Sequence, residues 1–323
     1  MYRGFPSSMV PLLRCSRDGA ELGLVGVPPA SPFVQQGALR CACCGAVYAI
    51  EHGIASLLPA APLGAESAHE MVERDAQFAA AAPAVDPFIA RWRHATEVEP
   101  TLQACGAVHG KVVAEFGCGA GRFTVALAQR AAAVLAVDLS RECLMQLGDR
   151  LESTAPVGLV WADIGSLHLA PGSFDCVLST AHSNLPTREH RLASNRVAAD
   201  ALRTTGRYVF SMHFHATHDF LHGVPAAGHY DGTGIFRYHM RAAEARREIA
   251  PFFARVRFAP ILMSLPLVRS LGVTRMAMHI PGVNSLASLL LGVAVRPRRE
   301  PPVDYVSPWS RLATRLLGRR PTG

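Results

Sequence analysis

Apolar runs alternate with polar, helix-compatible stretches from residue 111 onward. Short runs rich in Val, Leu and Ala predict strands that are buried on both faces, as in a parallel sheet. The predicted strands are residues 112–114, 133–137, 158–161, 174–179, 207–212, 256–263 and 289–295. Helices are predicted at residues 122–130 and 240–249. This order of strands and helices predicts a doubly wound α/β domain.

The chain before residue 111 has a different pattern. Residues 65–81 and 87–105 are rich in alanine and predict helices, separated by Ala-Ala-Pro at 81–83. We therefore expect a small module at residues 1–60 and a helical lead-in at 61–108 that covers part of the main domain. The main domain would span 109–300, with a substrate lid at about 214–288, followed by a basic tail at 301–323.

The first 60 residues contain two short turns that each follow Leu-Arg and lead to glycine. Cys41 and Cys44 have the C-x-x-C spacing with which two thiolates of one turn reach a tetrahedral ion. The first turn supplies Cys15 and places Asp18 where a fourth thiolate is expected. The candidate zinc ligands are therefore Cys15, Asp18, Cys41 and Cys44. Two alternatives stay open: Cys43 replaces Asp18, or the ribbon folds on its apolar residues without metal.

A glycine-rich turn follows the first predicted strand of the main domain. Glu115 precedes three glycines at alternate positions, Gly117, Gly119 and Gly121. Glycines remove the Cβ atoms that would block a ligand, and the free N–H groups of the next helix face the same place. Arg122 stands where a dinucleotide fingerprint needs its third glycine, which argues against NAD.

Carboxylates follow the next two strands. Asp138 ends the second strand, where it can accept hydrogen bonds from ribose hydroxyls. Asp163 follows the third strand, where it can accept a hydrogen bond from an adenine amino group. A helix cap at Asp138 and a solvated turn at Asp163 are the purely structural readings.

These motifs together resemble the class I S-adenosylmethionine (SAM)-dependent methyltransferases over roughly residues 111–212. The resemblance implies a Rossmann-like, seven-stranded and mostly parallel sheet whose last strand is antiparallel, with helices on both faces. It also implies SAM as cofactor, with Gly117 to Gly121 along methionine, Asp138 and Leu139 at the ribose, and Asp163 and Ile164 at adenine. The N-terminal segment resembles the zinc-ribbon-like module of many bacterial methyltransferases, which also exists as a separate activator of tRNA and protein methyltransferases.

The acceptor side departs from the family pattern. Ser183 and Asn184 replace the paired histidines that often precede Leu-Pro. Residues 203–206 differ from the usual Lys-Pro-Gly-Gly sequence before strand five, but we expect them to form the same turn. His182 and His213, at the ends of strands four and five, are the candidate general bases. A metal site within the histidine-rich segment is the weaker alternative. Its members would be His213, His215, His218 and His222, with Asp219 as the one acidic residue nearby. A set of pocket-lining and surface histidines is the favoured reading.

Composition narrows the function without fixing the acceptor. Strand four is followed by Ser-Thr-Ala-His rather than the motif of nucleobase amino methyltransferases, which favours a small, fairly apolar metabolite. The net charge of +7 permits an rRNA or tRNA substrate, but the arginines are dispersed. A non-catalytic SAM-binding interaction protein is the third alternative. The basic tail permits contact with a membrane surface. The apolar stretches are interrupted, which argues against a transmembrane helix. We expect a cytoplasmic location.

Overall fold

The computed structural model describes residues 2–28, 30–59, 61–80, 87–214, 223–230, 232–263 and 287–298. The predicted tail, residues 301–323, lies outside these ranges, as do residues 264–286 of the expected lid and His215, His218 and His222. Among the described residues, no helix has the length and apolarity needed to cross a bilayer.

A mixed sheet of eleven strands is the framework of the molecule. Its order is β14-β15-β11-β10-β7-β8-β9-β6-β5-β4-β2. The methyltransferase-like part comprises β7 (Val112–Phe116), β8 (Ala133–Asp138), β9 (Val157–Trp161), β10 (Phe174–Ser179), β11 (Leu202–His213), β14 (Phe253–Met263) and β15 (Ala287–Pro297). The N-terminal strands are β1 (Phe5–Pro6), β2 (Leu22–Val25), β3 (Phe33–Val34), β4 (Gln36–Cys41), β5 (Val47–Glu51) and β6 (Ile54–Ser56). A separate hairpin consists of β12 (Ala227–His229) and β13 (Phe236–Tyr238).

The methyltransferase-like half has the predicted topology. Strands β7 to β11 pair in parallel, and β15 pairs antiparallel with both β11 and β14. The fold class predicted from the sequence is therefore confirmed. One local expectation is wrong: residues 203–206 do not form a turn before the fifth strand. They belong to β11, which starts at Leu202, and the register with β10 shifts between Phe174 and Cys176, so the extra residues form a bulge.

Helices cover both faces of this sheet. They are α1 (Ala65–Ala79), α2 (Pro87–Arg93), α3 (Glu99–Ala104), α4 (Thr124–Ala128), α5 (Arg141–Arg150), α6 (Arg188–Ala201) and α7 (Ala242–Ile249). A π-helical turn, His94–Val98, joins α2 to α3. The strands alternate between two buried clusters: Val113 and Val134 lie in the cluster with α4 and α5, while Ala114 and Leu135 lie in the cluster with α6 and α7. Since successive side chains of a strand point to opposite faces, the sheet has a core on each side.

The N-terminal module extends the same sheet. Strand β6 pairs in parallel with β9, with Ile54 opposite Leu159 and Ser56 opposite Trp161. Its buried side chains Phe5 and Leu39 belong to the same cluster as α6 and α7. The module therefore covers an edge of the methyltransferase-like sheet that would otherwise expose unpaired backbone groups.

Candidate active site

A cavity of about 620 Å³ lies at the carboxyl edge of the parallel strands. In open α/β sheets this edge is where ligands bind, and the volume is within the usual range for small-molecule sites. The candidate residues that line it are Gly117, Gly119, Asp138, Leu139, Asp163, Ile164, His182 and His213. Cofactor and acceptor candidates thus border one cavity, although they come from five different strand ends.

The glycine loop after β7 faces the cavity through two of its glycines. A Cβ atom on Gly117 would meet no protein atom within 4 Å, and Gly117 has a left-handed backbone with φ of 68°. On Gly119 the nearest atom would be Phe78 Cζ at 3.5 Å. Gly121 has a different role: a Cβ atom there would collide with Leu147 of α5, so this glycine permits the loop to pack on the helix.

Asp138 holds the loop in place. Its Oδ2 accepts a hydrogen bond from the Gly119 N–H at 2.8 Å, and its Oδ1 accepts one from the Ser140 N–H at 2.9 Å. A carboxylate has about four acceptor positions, so each oxygen keeps one for a ligand. The two hydroxyl donors of a ribose diol fit these free acceptor positions.

Glu115 lies beneath the loop and is fully buried. Its Oε2 accepts a hydrogen bond from the Thr124 hydroxyl at 2.7 Å, at the start of α4, while Oε1 has no partner among the described atoms. Burial raises the pKa of Glu115 to about 8, the Thr124 hydrogen bond opposes this shift and the charge of Asp138 adds to it. Glu115 therefore supports the loop from inside and does not border the cavity.

Asp163 and Ile164 begin a 3-10 turn after β9. Oδ1 of Asp163 accepts from the Gly165 N–H at 2.9 Å, and Oδ2 accepts from the Ser67 hydroxyl at 3.2 Å. The Ser67 oxygen also lies 3.1 Å from Nε2 of His190. Because Ser67 belongs to α1, the lead-in helix reaches the candidate adenine end of the cavity.

Helix α1 crosses the mouth of the cavity. Glu73 accepts the Gly234 N–H at 2.8 Å from the loop between β12 and β13. Asp75 accepts the Ser140 hydroxyl at 2.6 Å, at the start of α5. Phe78 lies over the glycine loop. These contacts join the helix to both sides of the cavity.

An ion-pair group at the loop, formed by a buried glutamate and two half-exposed arginines, was not recognised in the sequence. Glu97, in the π-helical turn, is buried and receives hydrogen bonds from Arg93 Nε at 2.6 Å and Arg122 Nη1 at 2.9 Å. In the sequence, Arg122 indicates only that the third glycine of a dinucleotide fingerprint is absent. Its pairing with a residue 25 positions earlier depends on tertiary structure, so spacing gave no signal for it.

The two candidate bases differ in their surroundings. His182 is buried, and its Nδ1 lies 3.2 Å from the Tyr208 hydroxyl. Burial, together with the charge of Arg191, lowers the pKa of His182 to about 3. A histidine in this state is neutral and a weak base. The preceding Ala181 has a left-handed backbone, with φ of 54°, and donates its N–H to Ser211 Oγ at 3.0 Å.

His213 is half-buried at the end of β11 and has an acid–base partner. Its Nε2 lies 2.6 Å from the hydroxyl of Tyr230, and that hydroxyl receives a hydrogen bond from Asn184 Nδ2 at 2.9 Å. The sequence reading named neither Tyr230 nor Asn184 as functional. The only available signals were the position of Tyr230 in the histidine-rich segment and that of Asn184 before Leu-Pro.

The four predicted zinc ligands form one cluster in the N-terminal module. One ligand atom from each of Cys15, Asp18, Cys41 and Cys44 lies within 4.8 Å of all the others. The Sγ atoms of Cys15 and Cys44 are 3.6 Å apart, and Cys41 Sγ is 3.4 Å from Asp18 Oδ1. With Zn–S about 2.3 Å and Zn–O about 2.0 Å, a tetrahedral ion requires about 3.8 Å and 3.5 Å for these pairs. These two pairs are therefore within about 0.2 Å of the separations that a tetrahedral zinc ion requires.

Backbone groups support the same cluster. The N–H groups of Cys43 and Cys44 point at Cys41 Sγ, at 3.3 and 3.4 Å. Burial opposes ionisation of Cys41, but these hydrogen bonds lower its pKa overall. Cys43 is exposed and is not part of the cluster, so the alternative in which it replaces Asp18 finds no support in the geometry.

The fold and the cavity are similar to those of SAM-dependent methyltransferases. Residues 113–206 match the family described as a methyltransferase domain, Methyltransf_25. The class I SAM methyltransferase resemblance found in the sequence is thereby confirmed for this region. Comparison with curated proteins gives no match.

Solved structures share the fold at low sequence identity. A chain from the complex of the Haloferax volcanii Trm112 methyltransferase activator with a methyltransferase is 18% identical, with a TM-score of 0.52 over 72% of this chain and 100% of that chain. A SAM-dependent methyltransferase from Mesorhizobium loti is 19% identical, with a TM-score of 0.47 over 62% of this chain and 97% of that one. A Listeria monocytogenes protein described as a SAM-dependent methyltransferase is 17% identical, with a TM-score of 0.47 over 67% and 100%.

Proposed function

We propose that this protein transfers the methyl group of SAM to a small, largely apolar acceptor. The observation that carries the proposal is the shared cavity. The glycine loop and two strand-end carboxylates line one part of it, and His213 and Tyr230 line another. A cofactor and an acceptor bound there would meet inside one enclosed space.

The cofactor would extend along the carboxyl edge of the sheet. Asp163 and Ile164 would contact adenine, Asp138 and Leu139 the ribose, and Gly117 and Gly119 the methionine part. Arg122 and Glu97 supply opposite charges beside the glycine loop, 2.9 Å apart. Such a pair suits the carboxylate and ammonium groups of the methionine end.

The chemistry required of the protein is modest, because the positive sulfur already activates the methyl group. The acceptor atom attacks the methyl carbon in line, the carbon–sulfur bond breaks, and S-adenosylhomocysteine leaves. The protein aligns acceptor and methyl and excludes water. Helix α1 across the cavity mouth serves the second task, since its ends are bound to Asp163 through Ser67 and to Ser140 through Asp75.

The acceptor end of the cavity supports a largely apolar substrate. Its apolar lining residues are Leu185, Pro186, Leu262 and Leu289. An RNA substrate would need unpaired positive charge at the mouth. Arg74, Arg93, Arg122 and Arg150 line the cavity, but Arg74 pairs with Glu70, Arg93 and Arg122 share Glu97, and Arg150 donates a hydrogen bond to the Ala120 carbonyl.

In the N-terminal module, Cys15, Asp18, Cys41 and Cys44 would hold a structural zinc ion. With four protein ligands the site would be closed, so the ion would stabilise the ribbon and would take no part in methyl transfer.

Calorimetry with SAM and S-adenosylhomocysteine tests the cofactor assignment. Both should bind to the wild-type protein, and Asp138→Ala should weaken binding at least tenfold because the ribose hydroxyls lose their acceptors. No binding, or unchanged binding in the variant, would contradict the proposal. Cell extract incubated with labelled SAM before and after ribonuclease then separates the acceptor classes: loss of labelled product after ribonuclease would favour RNA, and no labelled product would favour the non-catalytic alternative.

A further inference from the structure

We propose that the hydroxyl of Tyr230 accepts the proton of the methyl acceptor and passes its own proton to His213. The inference rests on the proposed methyltransferase function and deepens it. It assigns the acceptor to compounds whose nucleophile is a weakly acidic O–H or N–H group, such as a phenol or an azole.

The proposed direction of proton transfer rests on two groups that contact the Tyr230 oxygen, the Asn184 amide and the His213 ring. Asn184 Nδ2 can only donate, so the Tyr230 oxygen accepts from it at 2.9 Å. The proposed route uses the His213 tautomer in which Nε2, 2.6 Å away, accepts the Tyr230 proton. His213 must therefore carry its own proton on Nδ1. The phenolic oxygen keeps one further acceptor position, and Tyr230 borders the cavity.

Both His213 and Tyr230 are held by the surrounding structure. His213 donates its backbone N–H to Ser183 Oγ at 2.9 Å, and its ring stacks on His239 with centroids 5.7 Å apart. The Tyr230 N–H donates to the Ile235 carbonyl at 3.1 Å across the turn of the hairpin. Rigid support of this kind is what proton transfer requires, because donor and acceptor must stay within hydrogen-bond distance.

Glutamates on α1 hold the same hairpin against the cavity. Glu73 accepts the N–H of Gly234 at 2.8 Å, and Glu70 accepts that of Phe236 at 3.4 Å. The helix that covers the candidate cofactor site therefore also positions Tyr230. Closure of α1 would complete both halves of the site together.

His182, the other candidate general base, does not offer such a route. Its Nε2 is buried without a hydrogen-bond partner among the described atoms, and its Nδ1 contacts Tyr208 in the core. Protonation there would leave a charge in an apolar environment.

The acceptor atom forms a bond to the methyl carbon while the carbon–sulfur bond of SAM breaks and its electron pair returns to sulfur. The acceptor proton moves to the Tyr230 oxygen, and the Tyr230 proton moves to His213 Nε2. The products are the methylated acceptor, S-adenosylhomocysteine and an imidazolium that loses its proton to water. A carboxylate or a tertiary amine would need no such transfer.

The test combines calorimetry with S-adenosylhomocysteine and methyl transfer from labelled SAM to a panel of phenols, azoles, carboxylic acids and tertiary amines. The variants are Tyr230→Phe and His213→Gln. The matched control is Tyr238→Phe, which removes a hydroxyl from the same hairpin that bonds to Glu244. We expect phenols or azoles to be methylated, and kcat to fall about 100-fold or more in both variants with S-adenosylhomocysteine affinity and KM nearly unchanged. The control should retain wild-type kcat.

Two results would overturn the proton route while leaving the methyltransferase function intact. One is methylation of phenols or azoles with wild-type kcat in Tyr230→Phe. The other is transfer only to carboxylates or tertiary amines. A wild-type protein that binds no S-adenosylhomocysteine would instead overturn the proposed function, and the proton route with it.

Discussion

Gly117 and Gly110 share a left-handed backbone, with φ of 68° and 69°, and a Cβ atom on either would meet no protein atom within 4 Å. Only Gly117 borders the cavity; Gly110 lies in the turn before β7. The pair separates the conformational role of a glycine from its role in ligand binding.

Substitution of each glycine by alanine should therefore give equal losses of stability and unequal losses of affinity. A left-handed alanine costs about 1 to 2 kcal/mol, so Gly117→Ala and Gly110→Ala should lower the free energy of unfolding alike. Only Gly117→Ala adds a methyl group to the cofactor space, and we expect at least tenfold weaker binding of S-adenosylhomocysteine by calorimetry. Equal affinity in the two variants would show that the loop does not contact the cofactor.

Zinc should be present in the purified protein at about one ion per chain, as measured by elemental analysis. Cys44→Ser should release it, because the variant loses a thiolate of the cluster. Cys43→Ser should retain it, since Cys43 is exposed and lies outside the cluster. A content below about 0.1 zinc per chain in the wild-type protein would mean that the ribbon folds without metal.

Asp18→Cys should tighten the same site. Thiolate is a softer ligand than carboxylate. A site with more thiolates therefore binds zinc in preference to hard divalent cations. We expect slower loss of zinc to a chromophoric chelator than in the wild-type protein, by about tenfold. Faster loss would indicate that the cluster is shaped for the shorter oxygen ligand.

Much of the fold followed from periodicity because buried parallel strands produce apolar runs. The strand at Phe174–Ser179 has the predicted bounds, and α1 and α7 were expected within a few residues of their positions. Residues 203–206 were misread because a bulge and a turn use the same residue types. Only the register with β10 distinguishes the two.

The site was less accessible to sequence reasoning because its key contacts join distant segments. Asp138 and Asp163 follow strands directly, so topology alone brings them to one edge. Tyr230 reaches His213 only because the hairpin β12–β13 folds back over β11, and the contact is between single side chains. Pairing of β6 with β9 was hidden for a similar reason, since no local pattern specifies which edge a short strand will join.

The shared sheet predicts that the N-terminal module and the main domain unfold together. A Cβ atom on Gly158 of β9 would lie 2.9 Å from the Phe5 ring and 3.0 Å from Met9 Sδ, whereas on Gly23 of β2 it would meet nothing within 4 Å. Gly158→Val should therefore lower the free energy of unfolding by about 1 to 3 kcal/mol through overpacking, and Gly23→Val should change it little. Chemical denaturation should show one transition in both. Two separate transitions in the wild-type protein would contradict a common core.

Glu115 should make stability depend on pH in a direction opposite to that of most carboxylates. Its pKa is raised to about 8 in the folded protein, chiefly by burial, whereas an unfolded glutamate titrates near 4.3. Between these values the folded state holds a proton that the unfolded state has lost. Unfolding is therefore favoured increasingly as pH rises from about 5 to 8, by up to about 1.4 kcal/mol per pH unit, and the effect levels off above pH 8.

Glu115→Gln isolates this contribution, because glutamine keeps an oxygen for the Thr124 hydroxyl and carries no charge. All other groups titrate in both proteins, so their contributions cancel in the difference between the two free energies of unfolding. Measured by urea denaturation, that difference should shift in favour of the variant between pH 5 and pH 8 and stay constant above pH 8. A difference that does not change with pH would mean that Glu115 is ionised in the folded protein, stabilised by Arg122 and by water in the loop rather than by its proton.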